Sequence, residues 1–253
     1  MAALRQAHIA LVGDSVLDNK AYTGGGPCVT EHLELKVSSR HWSVTNCAVD
    51  GDVVQDVIES QIKTVPSSAT FIVISAGGND GLQLLSSLES EGLTCSSFCD
   101  KLANIERVFR DRYSQMLQSL GQLGLPMLVC TVYHPRFERH EWRTQIIASI
   151  GVACLNRVIR SEARKRRLPI IDLAWVFNRE RDYANAIEPS SWGGDKISNN
   201  IIHVIDHHNF RSRGAAYWQR DYSAAETPGT NNGDRRDASR LARAAKNDGF
   251  RSR

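Results

Sequence analysis

Long apolar runs, paired Cys-x-x-Cys motifs and a strong excess of either charge sign are all missing from this 253-residue chain. No stretch approaches the roughly 20 apolar residues that cross a bilayer, so no membrane span is expected. Lys and Arg number 31 against 28 Asp and Glu, and a net +3 gives no reason to expect nucleic acid as a partner. Six cysteines (Cys28, Cys47, Cys95, Cys99, Cys130 and Cys154) are too sparse for a disulfide framework. Several lie in apolar segments, where a thiol reads as a small hydrophobe. His8 to Gly13 is too short and lacks the cleavage site of a secretory signal, so a reducing, cytoplasmic setting is expected. Gly24-Gly25-Gly26 does not stand between a strand and a helix, and Pro27 follows at once, which argues against a dinucleotide-binding fingerprint.

What remains is ample apolar material, unevenly placed. Hydrophobic residues make up 42% of the chain, enough for a packed core. From Arg211 to Arg253, however, there is no Val, Ile, Met or Cys, and a single Leu, Leu241. Ten Lys and Arg and five Asp and Glu give this stretch +5, leaving the first 210 residues at −2. A segment with so little to bury does not offset its ordering entropy. The expected organisation is one domain over residues 1–210 and a basic, disordered tail over 211–253, with acidic residues interrupting every basic cluster.

Within the domain, short β-rich runs alternate with helical patterns. His8–Val12, Trp42–Val49, Thr70–Ser75, Met127–Val132 and Leu168–Leu173 are near-continuous apolar runs bounded by turn residues, as parallel strands buried on both faces should be. Leu102, Ile105, Phe109, Tyr113, Met116, Leu117 and Leu120 recur at spacings of three and four and predict one long amphipathic helix. A second stripe runs from Ile147 to Val158, with Arg164 to Arg167 placed to complement the dipole at its C-terminal end. Asp52–Ile62 and Asp195–Asp206 predict shorter helices. Five strands alternating with helices imply an α/β layer with right-handed crossovers.

In an open parallel sheet, ligands bind beyond the carboxyl ends of the strands. Three of those ends run into small polar turns: Gly13-Asp14-Ser15, Asp50-Gly51-Asp52 and Gly77-Gly78-Asn79-Asp80. Each alone is ordinary loop punctuation. Together they hold the parts for acyl transfer on one face of one sheet. Ser15 offers a nucleophile where a following helix N-terminus would stabilise negative charge. Gly51 can bring a backbone N–H close to an oxyanion, and Asn79 adds a neutral side-chain donor.

Gly13-Asp14-Ser15-Val16-Leu17-Asp18-Asn19 resembles the first block of the SGNH, or GDSL-type, hydrolases. Gly51 matches the glycine of that family's second block, and Gly77-Gly78-Asn79-Asp80 its Gly-x-Asn-Asp block. The resemblance spans roughly residues 8–205. It implies a flavodoxin-like three-layer α/β/α fold with a five-stranded parallel sheet and a Ser15 nucleophile. It also implies an oxyanion hole from the N–H groups of Ser15 and Gly51 and the Asn79 amide, ester substrates, and neither a metal nor an organic cofactor.

The family's last block departs. Where the family carries Asp-x-x-His, with His as general base and Asp orienting it, this chain has Asn185-Ala186-Ile187-Glu188. Pro189 and Gly193-Gly194 keep the surrounding frame, so Glu188 takes the place of the base. A carboxylate of ordinary pKa, about 4.3, is a poorer base than imidazole, but burial raises it. His134, after the fourth strand, is the rival base on the same face.

Two further groupings carry less. Cys95 and Cys99 have the wrong spacing for a zinc knuckle and read as loop thiols. His203 and His207 share a metal-compatible spacing of four, but a helix C-terminus attracts histidine without a metal. The expected function is serine-dependent hydrolysis of a small-molecule carboxylic ester through an acyl-enzyme at Ser15. The competing reading is a non-catalytic protein on the same scaffold that binds an anionic or acylated ligand.

Overall fold

A computed structural model describes residues 6–88, 94–211 and 216–220. Six parallel strands form one sheet: β1 (His8–Gly13), β2 (Ser43–Asn46), β3 (Phe71–Ser75), β4 (Met127–Cys130), β5 (Ile170–Ile171) and β6 (Tyr217–Trp218). Their spatial order is β2-β1-β3-β4-β5-β6, so the chain leaves β1 to one side and returns to its other side at β3. That reversal is the switch point where doubly wound sheets open a crevice. β1 and β3 run in register from Ile9 opposite Phe71 to Gly13 opposite Ser75, which brings the two motif-bearing turns side by side.

Period-two alternation sorts the strand side chains onto two faces. Ile9 and Leu11 of β1 pack with Val73, Leu128 and Ile171 beneath α1 (Val29–Val37) and α7 (Ser191–His207). Val12, Ile72, Ile74 and Val129 face α2 (Val54–Glu59), α4 (Cys95–Gly121) and α5 (Trp142–Arg166). α3 (Gly78–Leu88) starts directly at the Gly-Gly-Asn-Asp turn, and α6 (Leu173–Val176) is a single short turn after β5. The layers are helix, sheet, helix, as the sequence pattern implies.

Several expectations change. The sheet has six strands and not five, and the extra strand, Tyr217–Trp218, lies beyond Phe210, in the stretch assigned to the tail. Trp218 packs against the core. The basic segment after Arg220 lies outside the described residues. α1 was not anticipated, and Cys95 and Cys99 sit in the first turns of α4, capped by the Thr94 hydroxyl, not in a loop. All six cysteines are free thiols. The basic cluster at the end of α5 is taken up internally, because Lys165 and Arg166 both pair at 2.7 Å with the buried Glu162 carboxylate.

Candidate active site

Ser15 stands on a tight turn at the end of β1, and the turn is built by the residues around it. Gly13 adopts φ +140° with its Cα against the β3 backbone; a Cβ there would lie 1.7 Å from the Ser75 carbonyl oxygen. Only glycine allows that approach. The Asp14 N–H donates to the Ser75 carbonyl at 3.0 Å, while Leu17 and Asp18 N–H groups donate back to the Asp14 carbonyl. The result is a single turn, not a helix. α1 begins only at Val29, so the expected helix dipole behind Ser15 is absent, and its support for the nucleophile falls away.

The other loops are tied to this turn by polar side chains. Asp18 accepts from the Asn46 amide at 3.0 Å and the Asp50 N–H at 3.1 Å, fixing the loop that carries Gly51. Gln61, 2% exposed, accepts from Gly13 N–H and donates to the Gly13 carbonyl, both at 2.8 Å, and donates to Asp52 at 2.7 Å. Asn79 donates to the Asp52 carbonyl at 2.9 Å, which uses one amide hydrogen and leaves the second. Asp80 accepts from the Val54 N–H and so anchors the start of α2.

Glu188 arrives from the opposite side on a loop pinned at several points. Asn185 Oδ1 accepts from the Ile187 and Glu188 N–H groups, both at 2.9 Å. Tyr133, stacked on Phe177 with centroids 4.2 Å apart, donates its hydroxyl to the Ile187 carbonyl at 2.6 Å. Asn19, wholly buried, donates to the Pro189 carbonyl and accepts from the Val29 N–H. The Glu188 side chain is thereby buried beside Ser15, whose hydroxyl favours its ionised form. Its second oxygen, Oε2, is buried without a partner. Asn185 does not reach that carboxylate, so it shapes the loop and does not orient the base as the family's Asp would.

Ser15, Asn79 and Glu188 line one cavity of about 80 Å3 together with Asp14 and a largely apolar wall. Gly51 lies outside that lining, on the exposed loop beside it, with φ +90°. Neither its N–H nor that of Ser15 donates to another backbone group among the described residues. His134 is exposed and does not line the cavity; its carbonyl merely accepts from Tyr183. Among the described residues the lining has no Lys, Arg or His.

The site is strongly carboxylic. Burial pushes Glu188 above its ordinary range, opposed by the neighbouring Ser15 hydroxyl and reinforced by the nearby Asp50 charge. Asp14, directly under Ser15, is raised from 3.8 to about 7, chiefly by burial, although Val16 and Gly78 N–H groups hydrogen-bond to it. The charges of Asp80 and Glu188 add to that rise. A folded pKa above the unfolded one means the native state holds the proton more tightly, so stability is lost as pH climbs from about 4 to about 7. The shift corresponds to about 4 kcal/mol. Urea unfolding between pH 5 and 8 should show this loss, and Asp14→Asn should flatten the curve. A wild-type curve that rises over the same interval would contradict the assignment.

Elsewhere, among the described residues, no cluster of His, Cys, Asp or Glu has the arrangement of a metal site. The His203 Nδ1 faces Arg220 at 3.2 Å, and His207 Nδ1 faces the His203 carbonyl at 2.8 Å. Sequence reasoning missed Gln61 and Tyr133, which carry no motif, and the anchoring role of Asn19, which sits within the first block.

A switch-point crevice with a serine beside a buried carboxylate defines the class: a doubly wound α/β protein with a serine–carboxylate site. The model of the GDSL-like lipase/acylhydrolase family matches residues 9–219, and the chain belongs to that family. Comparison with curated proteins gives no match. Among solved structures, a lipase from a goat rumen metagenome superposes with TM-score 0.62 at 19% identity, covering 78% of this chain and 97% of its own. An extracellular lipase from Streptomyces rimosus (TM-score 0.57, 14% identity, 80% and 100% covered) and a phospholipase A1 from Streptomyces albidoflavus (0.55, 14%, 81% and 100%) share the fold.

Proposed function

We propose that this protein hydrolyses carboxylic esters through an acyl-enzyme at Ser15, with Glu188 as general base. The observation that carries the reading is the Ser15 hydroxyl beside a buried, proton-avid carboxylate, both on the wall of one cavity. Glu188 takes the serine proton as Oγ attacks the ester carbonyl carbon. The carbonyl oxygen becomes an oxyanion, held by the second Asn79 amide hydrogen and the N–H groups of Ser15 and Gly51. Protonated Glu188 then gives its proton to the departing alkoxide as the ester C–O bond breaks. Water repeats the sequence on the acyl-enzyme, releasing the acid and restoring Ser15 and ionised Glu188. A base works best with a pKa near the working pH, so the rise imposed by burial is what suits a glutamate to a place that histidine holds in the family.

The competing reading, a non-catalytic binder, is weakened for anions. A ligand carrying negative charge would meet Asp14 and Glu188 with no cationic side chain on the cavity wall among the described residues. A neutral acylated ligand remains compatible. Acid quench during turnover of p-nitrophenyl butyrate, followed by peptide mass spectrometry, separates the two readings. The acyl-enzyme reading expects a butanoyl group on the Ser15 peptide, while unmodified Ser15 alongside release of p-nitrophenol would contradict it.

A further inference from the structure

The cavity beside Ser15 continues away from the carboxylates into a slot between α3, α4 and α5. Ile105, Val132, Ile147, Val152 and Leu155 line it, and their side chains offer nothing to hydrogen-bond. Gly151 lines it too, in the interior of α5. Glycine there is unfavourable, because it destabilises a helix interior relative to alanine. Packing does not require it. A Cβ on Gly151 would meet nothing within 4 Å, whereas one on Gly81, across the slot, would lie 2.9 Å from Leu155 Cδ1. Gly81 is therefore explained by neighbours and Gly151 is not: its missing side chain leaves open space on the wall of an apolar slot.

We infer that this slot takes the acyl chain of the ester, that it selects short unbranched acyl groups of about four carbons, and that Gly151 sets the length. The inference rests on the ester-hydrolase reading and deepens it. With the carbonyl carbon at Ser15 Oγ, the acyl chain stands at the entrance to the slot. A volume of about 80 Å3 is roughly half that of an engineered apolar cavity that holds benzene. At about 30 Å3 per small group, it has room for about three methyl or methylene units beyond the carbonyl. Neutral aliphatic chains suit the wall, and chains ending in a carboxylate are repelled at the mouth by Asp14 and Glu188.

The test is kcat/KM for p-nitrophenyl esters from acetyl to dodecanoyl, with wild type, Gly151→Ala and Gly151→Leu. Wild type should gain about fourfold per added methylene, the equivalent of ~0.8 kcal/mol, until the slot is full near four carbons. Beyond that the gain should stop. Gly151→Leu should lower the hexanoyl-to-acetyl ratio at least tenfold. Gly151→Ala, which the space admits, should raise the unfolding midpoint and lower the ratio by about fourfold, the equivalent of one methylene. A profile flat from acetyl to dodecanoyl, or a ratio unmoved by Gly151→Leu in folded protein, overturns the acyl slot while leaving ester hydrolysis standing. If no ester turns over, the hydrolase reading fails instead, and titration of both proteins with 1-hexanol decides the slot. Saturable binding lost in Gly151→Leu supports it, and equal binding or none rejects it.

Discussion

Glu188→Gln lowers kcat/KM for an activated ester by about 100-fold or more, the usual scale for removing a general base. The substitution keeps size and backbone contacts: the Asn185 bonds to the Ile187 and Glu188 N–H groups and the Tyr133 bond to the Ile187 carbonyl involve no part of the carboxyl group. What it removes is the proton acceptor for Ser15. It also relieves the burial of a charge with one unpartnered oxygen, so the folded protein should be no less stable near neutral pH. Wild-type rate should rise with pH through the raised Glu188 value, because only the ionised form accepts the serine proton. The Glu188 charge in turn adds to the rise of the Asp14 carboxyl. Steady-state kinetics from pH 4 to 9 checks these outcomes, and a Glu188→Gln enzyme of unchanged rate would remove the base from the mechanism. His134→Ala should cost little, since that side chain is exposed and outside the cavity lining.

Ser15→Ala is expected to be the more damaging change, on the order of 10^4-fold or greater in kcat, as for loss of a serine nucleophile elsewhere. The fold should survive it. Ser15 lies in a turn whose bonds run through the Asp14 carbonyl and the Asp14 and Gly13 backbone, and none of them uses the serine hydroxyl. Circular dichroism and the unfolding midpoint should stay near wild type while ester turnover disappears. Turnover retained in purified, folded Ser15→Ala would place the chemistry on another group.

The strands were legible because buried parallel strands leave near-continuous apolar runs, and five of the six stood out that way. β6 did not: two residues long, with Tyr217 exposed, it carries no periodicity that separates it from a polar tail. α1 escaped for a related reason, since its buried Val29, Leu33 and Val37 are single residues four apart in an otherwise polar stretch. At the site, motif residues on strand ends were visible because their positions follow from topology. Glu188 was legible only through its frame, and packing explains why that frame persists: a Cβ on Gly193 would lie 2.2 Å from the Asp182 carbonyl oxygen. Gln61 was illegible, because a lone glutamine gives no hint that a distant glycine backbone needs both its donor and its acceptor. The helix expected after Ser15 failed because the chain closes one turn on the Asp14 carbonyl and then leaves toward Lys20.

The most direct measurement of the central claim, that Glu188 activates Ser15, is the rate of covalent labelling by a fluorophosphonate as a function of pH in wild type and Glu188→Gln. Wild type should label at Ser15 alone, with a rate that climbs as Glu188 ionises. Glu188→Gln should label at least 100-fold more slowly and without that climb. Equal labelling of the two proteins, or none at Ser15 in wild type, would contradict the account.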